Sequence, residues 1–347
     1  MAAIHTRTHP RTPITTVLLY VVVAILAIGI AYVVMQLGSI QSKLVLLSGQ
    51  VSSLSSEISN FVSAAPTNTP NESTTLAYID TPLNATELSI INSAPDSYFE
   101  TAGMMFLNGS FSDMVFAREL SNASLYNAFV VNGKPSVIYI GAISCIFCAE
   151  NKWAMALALS RFGSFSSLYK GYSALQDGDL PTLYWSEVNY TTPAGADFRN
   201  SYTSSYINFI SGEYESPITQ GFEFAQSGIT YFINNASNST SKAAMEFMNS
   251  TGKFSGTPFT FWGNVIVSGV DAIVFGNTLP ASASNLPLQH MSHTRVLEQL
   301  QQFNDGFAWA EYAAADVYVA YVCPSINNSA PICSLPAIQT LEARLGI

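Results

Sequence analysis

Charge is what this chain has least of. Only 10% of its 347 residues are Asp, Glu, Lys or Arg, against about 25% in an average soluble protein. The deficit is deepest on the basic side, with 13 Lys and Arg against 23 Asp and Glu and a net charge of -10. That balance argues against a nucleic-acid-binding surface and against a polybasic surface for anionic lipid. No acidic or basic run concentrates the charge that is present. Histidine and cysteine are rare as well, at four each. A phosphate-binding loop, a Ser nucleophile elbow and a dinucleotide-binding glycine fingerprint are all missing, which removes the common nucleotide and serine-hydrolase chemistries. No internal repeat divides the chain, and no cofactor is implied.

Apolar residues are plentiful, at 48%, so a sizeable core can form. Ser, Thr and Asn carry the surface polarity. Such a surface suits either glycosylation or a medium in which carboxylates are often protonated. Asn-X-Ser/Thr sequons, the acceptor pattern for N-glycans, begin at Asn71, Asn84, Asn108, Asn122, Asn189, Asn235, Asn238, Asn249 and Asn327. All lie beyond the one long hydrophobic segment.

That segment, Ile14 to Leu37, sits in a stretch free of charge from Thr12 to Ser42. It is long enough to span about 30 Å of hydrocarbon and longer than the apolar region of a cleaved signal peptide. An uncleaved signal anchor is expected. Arg7 and Arg11 precede it and only Lys43 follows closely, so the positive-inside rule puts residues 1–13 in the cytoplasm and the rest outside. Leu37, Ile40, Leu44, Leu47, Val51, Leu54, Ile58 and Phe61 then alternate at spacings of three and four. This is the seam of a coiled coil, and self-association through a stalk over residues 38–62 is expected. The other reading is a lone amphipathic helix. Residues 63–82 are rich in Pro, Thr and Asn and read as a linker. The head covers 83–347.

Within the head, Pro135 to Ser144 reads as a buried strand rich in β-branched and aromatic residues. Cys145-Ile146-Phe147-Cys148 follows, and then an Ala- and Leu-rich helix from Ala149 to Phe162, stopped by Gly163. A cysteine at a helix N-terminus meets free N–H groups and the helix dipole, both of which favour the thiolate. A second cysteine one turn later is close enough to resolve a mixed disulfide. Downstream, Gly256-Thr257-Pro258-Phe259-Thr260-Phe261 and Gly263 to Gly269 read as two strands around a turn, with Thr257-Pro258 a candidate cis bond.

These features together resemble the thioredoxin superfamily, in particular its DsbA-like branch. The resemblance implies that Cys145 attacks, Cys148 resolves, and Thr257-Pro258 lies beside them and docks an incoming peptide. The long gap between Cys148 and Pro258 is similar to members with a helical insertion, here about Ser164 to Ser255. More closely, the head resembles a mainly archaeal family of membrane proteins, domain of unknown function 929. Tyr139-Ile140-Gly141-Ala142, the helix from Ala149 to Ala154 through Ser160-Arg161-Phe162-Gly163, Gly256 to Phe259, and Tyr321-Val322-Cys323 with Pro331-Ile332-Cys333 carry that resemblance. The fold class implied is α/β, a thioredoxin-like domain with a helical insertion and a helical C-terminal extension. Ile146 and Phe147 depart from the DsbA pattern, which has Pro or His between its cysteines, and so leave the redox direction open.

Other readings of these residues stand beside that one. Cys145 and Cys148 also suit a permanent disulfide, or, with His290 and His293 one helical turn apart, a zinc site. The histidines read more simply as surface or helix-packing residues. Glu150 could relay protons; a solvated first-turn glutamate is the plainer reading. Cys323 and Cys333 flank a loop with two prolines after a helix at about Phe307 to Val322. An even cysteine count in an exported chain pairs them in a structural bridge; a second redox pair is the rival. The function expected is a membrane-anchored thiol–disulfide oxidoreductase outside the cell, acting on exported thiol proteins, with a membrane thiol oxidase as a natural partner. The competing class is a structural or binding glycoprotein of the cell envelope.

Overall fold

The computed structural model describes residues 81–109, 124–173, 180–188, 195–215, 228–254, 256–268, 288, 291–304 and 306–347. The expected cytoplasmic tail, span, stalk and most of the linker lie outside these residues, as do Asn71, Asn122, Asn189 and His290. No helix among the described residues is long and apolar enough to cross a membrane.

The described chain is a mixed α/β head. Helices α1 (Ala85–Asn92) and α2 (Asp96–Leu107) come first. Strands β1 (Ser124–Leu125), β2 (Val130–Val131) and β3 (Lys134–Ala142) lead into α3 (Ile146–Ser160). After β4 (Gly163–Phe165), β5 (Tyr169–Tyr172), β6 (Pro181–Tyr184), β7 (Gly195–Asp197) and β8 (Tyr202–Ser204) comes the longer β9 (Asn208–Glu215). Helices α4 (Thr230–Asn235) and α5 (Ser239–Ser250) precede the hairpin β10 (Phe259–Trp262) and β11 (Val265–Ser268). The C-terminal part is helical: α6 (His293–Gln302), α7 (Gly306–Val322), two 3-10 turns (Cys323–Ile326 and Pro331–Ser334) and α8 (Pro336–Leu345).

The main sheet runs β1-β11-β10-β3-β9-β7, with β2 also on β3. Strand β3 is central. It pairs in parallel with β9 and antiparallel with β10. Its residues alternate between two cores, as the twofold period of a strand requires. Val137 and Tyr139 face a core shared with α3 and α7, while Ile138, Ile140 and Ala142 face one shared with α4 and α5. Helices therefore cover both faces, and a central strand buried on both sides is continuous in apolar residues rather than alternating.

Helix α7 is buried along almost its whole length. Ala308, Ala310, Ala313, Ala314, Ala315 and Ala320 keep it thin enough to pack among α2, α3 and α8. At Gly103 of α2 a Cβ would stand 2.8 Å from the Ala337 Cβ and 2.9 Å from Asp316 Oδ2. Only a glycine lets these helices approach so closely.

The insertion departs from its helical expectation. Residues 164–207 hold the small sheets β4–β8 and β5–β6 and the edge strand β7, and helices α4 and α5 follow only after β9. Strands of three or four residues are too short to show a period of two. The helical C-terminal extension is present as expected.

Candidate functional site

Helix α3 begins at Ile146, three residues earlier than its Ala-rich run suggests, because Cys145 itself is the N-cap. Cys145 Sγ accepts a hydrogen bond from the Cys148 N–H at 3.4 Å. This is the position where a side chain satisfies an otherwise orphan helix donor. The same sulfur lies 3.5 Å from the Thr257 carbonyl, to which its thiol donates. The Thr257–Pro258 peptide is cis and directly precedes β10. The sheet thus brings together Cys145, Cys148, Thr257 and Pro258, as expected from the sequence.

The two thiols are free and differ in surroundings. Cys145 is half-buried and Cys148 fully buried. The Cys148 thiol as a donor, then the Thr257 hydroxyl and the N–H groups of Cys148 and Phe147, outweigh burial and bring Cys145 down to about 7. Burial and the adjoining Cys145 sulfur push Cys148 well above its ordinary value. An N-terminal thiolate with a neutral thiol behind it is the arrangement that makes one cysteine nucleophilic at neutral pH.

Beneath Cys148 lie charges that sequence reasoning missed. Lys152, one turn further along α3 and fully buried, pairs with Glu213 of β9. Its ammonium also lies over the rings of Tyr139 and Tyr184, 5.8 and 5.4 Å from their centroids, a favourable placement for a cation. It favours the charged form of Cys148. The buried Tyr139 hydroxyl lies against the Cys148 thiol. It fits because Gly141 has no side chain: a Cβ there would stand 1.9 Å from that hydroxyl. Asp197 sits across from Glu213 in the β7–β9 register and is held by Arg199 at 2.9 Å. One signal was available, a lysine at i+4 from Cys148, on the same face of an Ala- and Leu-rich helix.

Glu150 is not solvated, contrary to expectation. It is buried and turned toward α7 and the Leu288 amide rather than to the thiols, and burial raises it to about 8. His293 is likewise buried. Its Nε2–H is shared between the carbonyls of Gly171 at 2.7 Å and Thr182 at 2.9 Å, so it packs α6 against β5 and β6. Burial drives its pKa to about 4. Among the described residues no cluster of His, Cys, Asp and Glu is arranged to hold a metal ion.

Cys323 and Cys333 are bridged to each other, joining the two 3-10 turns after α7. The sequon residues Asn84, Asn108, Asn235, Asn238, Asn249 and Asn327 are all exposed. Asn84 and Asn238 also cap helices α1 and α5.

Fold and site together define a mixed α/β domain with a dithiol at a strand-to-helix junction. The family described as a domain of unknown function, DUF929, matches residues 121–324, more than half of the chain, and the protein belongs to it. No curated protein and no solved structure matches it.

Proposed function

We propose that the head is a thioredoxin-like thiol–disulfide oxidoreductase, held outside the cell by the N-terminal segment and acting on exported proteins. The observation that carries this reading is the half-buried Cys145 at the cap of α3, drawn down to about 7, with a buried, neutral Cys148 behind it. The sheet order supports the fold assignment. Strands β3 and β9 are parallel and separated in sequence by α3, and the hairpin β10–β11 lies antiparallel on the other side of β3.

In this reading the Cys145 thiolate attacks one sulfur of a substrate disulfide. A mixed disulfide forms and the other substrate sulfur leaves as a thiolate, taking a proton from solvent. Cys148 then loses its proton and attacks the Cys145 sulfur, which releases the second substrate thiol. The protein ends as the Cys145–Cys148 disulfide and the substrate as a dithiol, a transfer of two electrons. Disulfide formation is the same path reversed, with a membrane thiol oxidase as the electron acceptor. Lys152 assists by stabilising the Cys148 thiolate as it forms. The Thr257-Pro258 loop presents its carbonyl edge beside Cys145, where an extended peptide can dock. The bilayer and a self-associating stalk at residues 38–62 complete the proposed setting.

A second reading, a cell-envelope glycoprotein with permanent disulfides, draws support from the exposed sequon residues and the Cys323–Cys333 bridge. One experiment separates the two. Cys148→Ser, expressed in the native host, is expected to accumulate covalent adducts on Cys145 in a non-reducing gel, and Cys145→Ser none. Absence of adducts from both variants favours the glycoprotein.

A further inference from the structure

Helix α7 buries two acids: Glu311, which faces Glu150 of α3, and Asp316, which faces α2, while Arg161 at the end of α3 lies near Tyr312 of α7 and pairs with Asp96. Glu150 of α3 is 2% exposed, and Glu311 and Asp316 of α7 are 4% and 0% exposed. These are among the most deeply buried side chains in the head. Among the described residues, both oxygens of Glu150, Oε2 of Glu311 and both oxygens of Asp316 have no hydrogen-bond partner. Other buried charges on this side of the sheet are matched: Lys152 with Glu213, and Arg161 with Asp96 at 3.1 Å. Among the described residues no cation is paired with Glu150, Glu311 or Asp316.

The groups that face each carboxyl are few. Glu150 faces Glu311 from α7 and the backbone amide of Leu288. Glu311 faces Glu150 and the Ala154 amide of α3. Asp316 faces Glu100 of α2 and the Gly103 amide. Glu100 is itself occupied, accepting from the Ala337 N–H at 3.1 Å. The amides favour charge slightly, but burial and the like-charged neighbours oppose it. An unpaired carboxylate in such a place is costly, and the group takes a proton instead. Burial accordingly lifts Glu150 to about 8, and burial with the neighbouring carboxyl lifts Glu311 and Asp316 well above their ordinary values.

We propose that the α3–α7 contact is a protonation latch: Glu150 and Glu311 pack as neutral acids, and ionisation of either weakens the packing of the two helices. The latch holds whatever the dithiol does, because it rests on the burial of the carboxyls alone. It fits the head to a neutral or acid medium. The sign follows from linkage. A carboxyl with a folded pKa raised above its unfolded value contributes stability that is complete below the unfolded value, near 4.5 for Glu150. That contribution is lost as pH rises through the folded value. For Glu150 the window runs from 4.5 to about 8. Within it the folding constant falls about tenfold per pH unit for each carboxyl held neutral. His293 acts oppositely: with its pKa lowered from 6.5 to about 4, it withdraws stability as pH falls. Variants must therefore be compared with the parent at each pH.

The test is urea unfolding of the full-length chain, of Glu150→Gln and of Glu311→Gln, from about pH 5 to about pH 8. Each variant should gain on the parent by about tenfold in folding constant per pH unit. Parallel curves would overturn the latch. A second measurement on the unaltered protein covers the case in which neither variant folds. Its infrared spectrum at neutral pH should show the carbonyl stretch of protonated, unbonded carboxyls, fading in alkali. A spectrum with carboxylate bands alone at neutral pH would also overturn it.

Discussion

The two cysteine pairs show how much surroundings decide. Cys323 and Cys333 sit on adjoining 3-10 turns, both 0% exposed, and are bridged. Their neighbours in the core are apolar, Val322, Ile326 and Ile332 among them. Cys145 and Cys148 sit at the mouth of a helix, free, one of them half-buried, with Lys152, Glu213 and Tyr139 beneath. The first pair closes a loop after the last long helix, where a link between chain segments stabilises chiefly by restricting the unfolded chain. The second pair is placed at a helix N-terminus, where a thiolate is favoured, with Cys145 half-buried. The same residue type serves as a staple in one place and stands as a free thiol pair in the other. The difference lies in helix termini and neighbouring charge, not in the cysteines.

The largest effect should come from removing the charge beneath the reactive pair. Lys152→Met leaves Glu213 buried without its partner, which costs about 3–5 kcal/mol at neutral pH. Burial raises the Glu213 carboxyl above its ordinary value, so the loss should shrink as pH falls toward about 5, where a neutral Glu213 is cheap to bury. Adding Glu213→Leu should recover most of it. Urea titration of the single and double variants at both pH values checks this; a single variant as stable as the parent would show that the pair contributes nothing.

Next in size is the staple. Cys323→Ala with Cys333→Ala should lower stability by about 3 kcal/mol and leave alkylation of Cys145 unchanged. A loss of Cys145 reactivity would mean that the two pairs are coupled, and the contrast between them would fail.

The smallest effect is a matter of rate. The Cys148 thiol and the Thr257 hydroxyl hold Cys145 at about 7, so its alkylation by iodoacetamide should rise with pH, reach half its plateau near 7 and flatten above it. The thiolate is the reacting form, and below that pH it is protonated. A midpoint near the ordinary thiol value, with Cys148→Ser no different, would place Cys145 among unactivated thiols.

Local signals were legible from residue types alone. The β-branched run of β3, the Cys-X-X-Cys after it, the Ala-rich α3, the Thr257-Pro258 hairpin, the long helix α7 and the Cys323–Cys333 bridge all appear where their residues point. Each is decided within about twenty residues, by propensity, capping or loop closure. The short strands of the insertion were not legible, because three or four residues carry no reliable period and their pairing depends on distant partners. Nor were the buried charges. Helix α3 is enclosed on every side from Cys148 to Ser160, so no polar stripe marks which way Glu150 or Lys152 turns. Lys152 meets Glu213 across 61 residues of chain, and Glu150 meets Glu311 only because α7 lies beside α3. The sequence alone determined where the free dithiol stands, at the start of α3. Only tertiary packing decided which charges lie beneath it and which carboxyls are held neutral, because ionisation depends on what the fold brings near and what it keeps water from.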